Sequence, residues 1–247
     1  MVFDHMTLLI AAAFVMAGIV KGTVGIGLPT IAVGLTSQFL PPHLAIALVV
    51  FPILFSNIWQ IVRTWRGFQI LLKYWLLVVL LILSLWVTTF YTASVPADAL
   101  LIVIGIVIVI YAVTSLLGPL PTIPDHRDRI AQTATGVSAG ILGGLTSIWS
   151  PPLVSYLLAR RTERDEFVQA TGLCFFVGSI PLAIGFWQAG LLDGSTAPMS
   201  AMMIVPTLIG FSLGEIIRRR LQPERFRQVV LWVFLLMGLN LLRRAIF

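Results

Sequence analysis

Lys21 is the one clear charge in the middle of an apolar stretch, and it opens the run Lys21-Gly22-Thr23-Val24-Gly25-Ile26-Gly27-Leu28-Pro29. A charge in such surroundings is costly and is kept where it is paired or functional. No acid close in sequence pairs with it. Asp98 or Asp193 could fold back to it, and the alternative is a lysine snorkelling to a surface. Glycines and a proline on one short segment break a helix, and a helix that restarts offers free N–H groups and a positive dipole end to an anion. A second such run is Gly140-Ile-Leu-Gly-Gly-Leu-Thr-Ser-Ile-Trp-Ser-Pro-Pro152. Backbone at Gly22, Gly25, Gly27 and Gly144, hydroxyls at Thr23, Thr146, Ser147 and Ser150, and the Lys21 ammonium make a set suited to a small oxyanion. Thr30 adds a further hydroxyl. Asn57 and Gln60, on consecutive turns with Ser56 and Trp59 between them, either line the same cavity or bond between helices.

Other chemistries lack their residues. His5, His43 and His126 fall at ends or loops, so no His-carboxylate or Cys-His set points to an enzyme. Cys174 is the only cysteine, which excludes an intrachain disulfide and a multi-cysteine metal site and leaves it a packing role. No metal or cofactor is implied. Glu215, one turn before Arg218 and Arg219, suits a local ion pair; the remaining carboxylates sit in loops, tails or helix ends, so no full helix carries a central proton-relay acid. The net charge of +6 comes from short basic clusters flanking apolar segments, with no basic face interleaved with aromatics, which argues against nucleic acid.

The elements that must position these residues are membrane helices. The chain is 58% hydrophobic and 11% charged, with mean hydropathy +1.00, so it needs lipid around it. Apolar segments fall at 43–62, 68–92, 98–118, 166–187, 197–217 and 226–245, each long enough to cross a bilayer. Two more, 6–40 and 129–160, are too long for one crossing and too short for two, and they carry the two breaks near their middles. The order of a broken segment and three helices therefore occurs twice. Gly18, Gly22 and Gly25 match Gly136, Gly140 and Gly143 in spacing, Pro29 answers Pro151 or Pro152, and Trp65-Arg66-Gly67 answers Gln188-Ala189-Gly190. The expected organisation is a first transmembrane repeat over 1–118, a cytoplasmic linker over 119–128 and a second repeat over 129–247.

Basic residues lie at 63–73, 127–129, 160–164 and 218–227, whereas the loops near 40–43, 92–97 and 188–196 have none. With basic loops cytoplasmic, the second broken segment starts and ends on one side and reads as a re-entrant hairpin, the first as a hairpin from the opposite side, and the halves as inverted repeats. Arg243 and Arg244 fall on the outer side in this scheme and count against it. The rival topology splits each broken segment into two full crossings.

The runs Gly18-Ile-Val-Lys-Gly-Thr-Val-Gly-Ile-Gly-Leu-Pro29 and Gly136-Val-Ser-Ala-Gly-Ile-Leu-Gly-Gly144, the helix start Pro42-His-Leu-Ala45 and the turns at 65–67 and 188–190 resemble the TauE/SafE family of sulfite and organosulfonate exporters. The resemblance covers nearly the whole chain. It implies a duplicated, multi-pass carrier of the bacterial inner-membrane type, moving small sulfur-containing or carboxylate anions, commonly outward. The expected partners are a small inorganic or organic anion and the lipid bilayer, with no nucleic acid; a homodimer is compatible with the sequence. A membrane-embedded enzyme and an anion channel are the alternatives to a secondary transporter.

Overall fold

In a computed structural model, residues 5–64, 68–118, 121–218 and 223–246 are described, and every regular element among them is helical. The first broken segment forms α1 (His5–Val24) and α2 (Leu28–Thr36). Then come α3 (Pro42–Leu48) running into α4 (Val50–Thr64), α5 (Gln69–Lys73) running into α6 (Trp75–Thr92), and α7 (Ala97–Leu116). The second broken segment forms α8 (Asp128–Thr146) and α9 (Ser150–Ala159), followed by α10 (Arg164–Gln188), α11 (Thr196–Met202) running into α12 (Ile204–Arg218), and α13 (Pro223–Ile246). Seven helical segments among the described residues are long and apolar enough to cross a membrane. The Trp65-Arg66-Gly67 turn lies outside the described residues.

Two features differ from the sequence expectation. The breaks are off-centre: α1 has 20 residues, about 30 Å at 1.5 Å per residue, whereas α2 has 9. The glycine match also shifts by one helical turn. Gly25 is at the break with φ +88°, but Gly143 is inside α8; the residue that ends α8 in the left-handed region is Ser147, φ 59°. Val24 thus answers Thr146, and Leu28 answers Ser150. The first helix ends where Gly25 donates its N–H to the Lys21 carbonyl at 2.7 Å, and the second where Ser147 donates to Gly143 at 2.8 Å.

Glycine lets the long helices touch backbone to backbone. Gly18 and Gly22 of α1 lie against Thr207 and Phe211 of α12, while Gly210 and Gly214 of α12 lie against Val15 and Ile19. Both helices therefore run in the same direction. Gly136, Gly140 and Gly144 of α8 pack in the same way along α6, against Leu77, Leu81 and Leu85, again in parallel. Gln60 of α4 meets Val168 and Gly172 early in α10, with Phe175 and Ile53 beyond, so α4 and α10 are antiparallel. Tyr74 bonds Glu166 and Thr89 packs on Gly185, which makes α6 and α10 parallel. Gly105 against Leu242 and Tyr111 against Phe234 make α7 and α13 antiparallel.

Proline accounts for two of the joints. Pro52 has no N–H to give Leu48, and the helix is interrupted at Val49; Ser200 donates its hydroxyl to the Leu48 carbonyl at 2.8 Å and accepts the Phe51 N–H at 3.2 Å. Met203 breaks the α11–α12 segment at the same distance before Pro206.

The second broken segment closes on itself. Arg160, just past α9, donates to the Ile123 carbonyl and the Asp125 carboxylate, both at 2.7 Å, and lies 3.0 Å from Asp128 at the start of α8. Tyr156 donates to Asp128 at 2.7 Å. The segment 128–160 thus begins and ends at one place. At the far end of α2, Arg244 donates to the Ser37 carbonyl at 2.8 Å and to that of Gln38. Arg244 therefore sits where carbonyls left over at the end of α2 need a donor.

Candidate functional site

Lys21 is 3% exposed, which removes the snorkelling alternative. Its Nζ donates to Ser56 Oγ at 2.9 Å and to Asn57 Oδ1, both on α4. These partners are neutral. Neither acid that could have folded back reaches it: Asp193 instead accepts from the Ser195 and Thr196 N–H groups, both at 2.8 Å, and Asp98 stands in the first turn of α7. Among the described residues Lys21 has no carboxylate partner.

Beside Lys21 lies a cavity lined by Gly27, Leu28 and Pro29 at the start of α2, by Asn57 and Ile53 of α4, and by Phe175 of α10. Gly27 caps α2 with φ 95°, a conformation that an L side chain rarely adopts. The first N–H groups of α2 have no partners within the helix, so the positive end of this half-helix and the ammonium converge on one space. That space is about 10 Å³, on a scale where a single water needs roughly 10–15 Å³. The site is closed, with no room for an oxyanion until something moves.

The second break approaches the first without duplicating it. Thr30 Oγ1 and Ser150 Oγ are 3.3 Å apart, so the starts of α2 and α9 meet in the core. Trp149, fully buried, fills the break ahead of α9 and stacks edge-on against Phe175 with ring centres 5.9 Å apart. It is thus one ring removed from the Lys21 cavity. Its Nε1 has no hydrogen-bond partner among the described residues.

The other candidates divide by what their atoms already do. Thr23 donates to the Ile19 carbonyl at 2.6 Å and approaches that of Gly214. Thr146 donates to Leu142 at 2.6 Å and accepts the Ile148 N–H at 3.1 Å, while Ser147 donates to Ile46 at 3.0 Å. Gln60 donates to Val168 at 3.3 Å. Gly22 and Gly144 are contact points between helices, on α12 and α6 respectively. Gly25 opens the break and faces empty space. The structure therefore gathers Lys21, Gly27 and Asn57 at one cavity and spreads the rest around it. Ser56 belongs with the first group although the sequence offers it only as a neighbour of Asn57.

Among the described residues no three His, Cys, Asp or Glu side chains are placed to hold a metal ion. No curated protein and no solved structure matches the chain. Residues 9–241 match the family described as sulfite exporter TauE/SafE. Nearly the whole chain, from the first residues of α1 to the last turns of α13, is covered, and the protein belongs to this family of membrane transporters.

Proposed function

We propose that the protein is a secondary transporter that exports sulfite or an organosulfonate across the cell membrane by alternating access. Lys21 carries the reading. An ammonium buried at membrane depth with only neutral partners is an uncompensated charge, and a bound anion supplies the missing counter-charge. The free N–H groups at the start of α2 and the amide of Asn57 add hydrogen bonds to the same ligand. A cavity too small for that ligand fits a carrier between its two open states.

The helix directions support inverted halves. With α1 parallel to α12, α8 parallel to α6 and hence to α10, and α12 following α10 across the short turn at 189–195, the two long arms α1 and α8 run oppositely. Such halves exchange conformations by symmetry, which is the usual basis of alternating access.

The test is thermal unfolding of purified protein against sulfite, sulfoacetate, sulfate and acetate. A ligand at 100 times its Kd stabilises by about 2.7 kcal/mol. Sulfite or sulfoacetate should raise the melting temperature of the wild type and leave Lys21→Met unchanged. A wild type that responds to none of them, or a Lys21→Met variant that still responds, refutes the reading.

A further inference from the structure

Arg160 and Arg161 are adjacent and have opposite fates. Arg160 is consumed by Asp125, Asp128 and the Ile123 carbonyl. The Arg161 side chain has no hydrogen bond or ion pair among the described residues, and the residue stands at φ 50° in the left-handed region. It occupies the residue after the α9 cap: Thr162 donates to Leu157 and Arg161 to Leu158, the pattern in which glycine is normally found. A strained residue kept where glycine would be relaxed points to a use for its side chain.

That side chain lines a cavity of about 420 Å³ between the ends of α7 and α9 and the start of α13. Arg227 of α13 lines it too, with the hydroxyls of Ser115 and Ser155. Among the described residues these two hydroxyls also lack hydrogen-bond partners. Two guanidinium groups and two idle hydroxyls around a space of this size suit an oxyanion group. The cavity also lies on a route inward. Arg227 lines a second, narrow space of about 20 Å³ with Val24, Tyr111 and Phe234, and Ile26 and Gly27 line both that space and the Lys21 cavity.

We infer that Arg161 and Arg227 form a capture site for a soluble oxyanion at the basic end of the protein, from which the ligand passes Ile26 and Gly27 to Lys21. The inference rests on the anion-carrier reading and adds to it a second, outer binding site on the basic face. Lys21 holds the ligand; the two arginines raise its local concentration and its rate of arrival. The phosphate of an anionic lipid offers the same chemistry, and the test separates the two sources.

The experiment is stopped-flow fluorescence of sulfite binding to the full chain in nanodiscs, for the wild type, Arg161→Gly, Arg227→Gln and the double variant. Arg161→Gly relieves the backbone strain at φ 50°, so it should fold at least as well as the wild type. The expected result is an association rate about tenfold lower in the double variant at low ionic strength, an unchanged dissociation rate, and loss of the wild type's salt dependence. Equal association rates in wild type and double variant, with Lys21→Met abolishing binding, overturn the capture site and leave the carrier reading standing. No sulfite binding by the wild type overturns both. The lipid arm compares phosphatidylcholine discs with discs that contain phosphatidylglycerol. Stabilisation by phosphatidylglycerol that is lost in the double variant, with association rates unaffected, assigns the arginines to lipid and overturns the inference.

Discussion

Replacing Gly144 by alanine separates a packing glycine from a ligand-binding one. A methyl group there would lie 2.6 Å from Thr88 Cβ and 2.8 Å from the Leu85 carbonyl oxygen, against ordinary contacts that begin near 3.4 Å. Relieving both means parting α8 from α6 by about 0.6–0.8 Å. The Leu85 oxygen belongs to a helix backbone and cannot rotate away, so the overpacking cost falls near the upper end of the usual range, about 3 kcal/mol. Alanine returns about 1 kcal/mol of helix propensity. The net loss is about 2 kcal/mol, or roughly 4–8 °C in melting temperature for a chain of this size. Gly22→Ala should behave alike, since its methyl would run into the Phe211 carbonyl and lie 3.0 Å from Glu215 N. Gly194→Ala, with nothing within 4 Å and no left-handed φ, is the control and should melt with the wild type. Detergent-solubilised protein followed by thermal denaturation gives the ranking, and sulfite titration of the folded fraction gives the affinity. A Gly144→Ala variant that melts like the wild type but no longer binds anion would refute the packing argument and return Gly144 to the ligand set.

Three further outcomes follow from single contacts. Ser200→Ala leaves the Leu48 carbonyl and the Phe51 N–H unsatisfied at the Pro52 joint and should cost about 2 kcal/mol, read as a lower melting temperature. Arg160→Gln unties the end of α9 from the start of α8. Amide exchange at 121–128 should then speed up by roughly an order of magnitude, as expected for a network that is only partly buried, and unchanged exchange would remove the latch. Asp193 is held below the ordinary carboxylate range by hydrogen bonds from the Thr196 N–H first and from Ser195 next. A depressed pKa means that its contribution is present above the unfolded value of about 3.9 and is lost as the pH falls below it. Protection of the amides at 193–196, taken relative to unstructured exchange at the same pH, should therefore fall in acid for the wild type, and Asp193→Asn should flatten that profile.

Hydropathy made the helices legible, because a bilayer demands long apolar runs whatever their partners: the segment drawn at 166–187 is α10, Arg164–Gln188. The breaks were legible through Gly25, Gly27, Pro29 and Pro151. Their register was not, since Gly143 reads like Gly25 in sequence and only the left-handed Ser147 reveals where α8 ends. Lys21 stood out because charge is rare in such a stretch; its partner Ser56 did not, because a lone serine in a membrane helix ordinarily bonds its own backbone, as Ser56 also does to Ile53 at 3.1 Å. Side-chain hydroxyls were the poorest guide. Thr23, Thr146 and Ser147 all donate to helix carbonyls, which a sequence cannot distinguish from donation to a ligand.

The two breaks look alike in sequence, yet proline placement makes them unequal as anion sites. The half-helix α2 begins Leu28-Pro29-Thr30 and loses one early N–H, whereas α9 begins Ser150-Pro151-Pro152 and loses two of its first three. Lys21 stands beside the richer of the two, and the poorer is filled by the ring of Trp149. Charge and free donors therefore collect on the first half's break, while the second supplies bulk and the single hydroxyl contact from Ser150 to Thr30. On the proposed carrier reading, halves that share an architecture rock against each other as matched bodies, but the anion between them is bound chiefly by one. For the proposed carrier, motion of α2 relative to α4, which would separate Gly27 from Asn57, is the movement that would open the site.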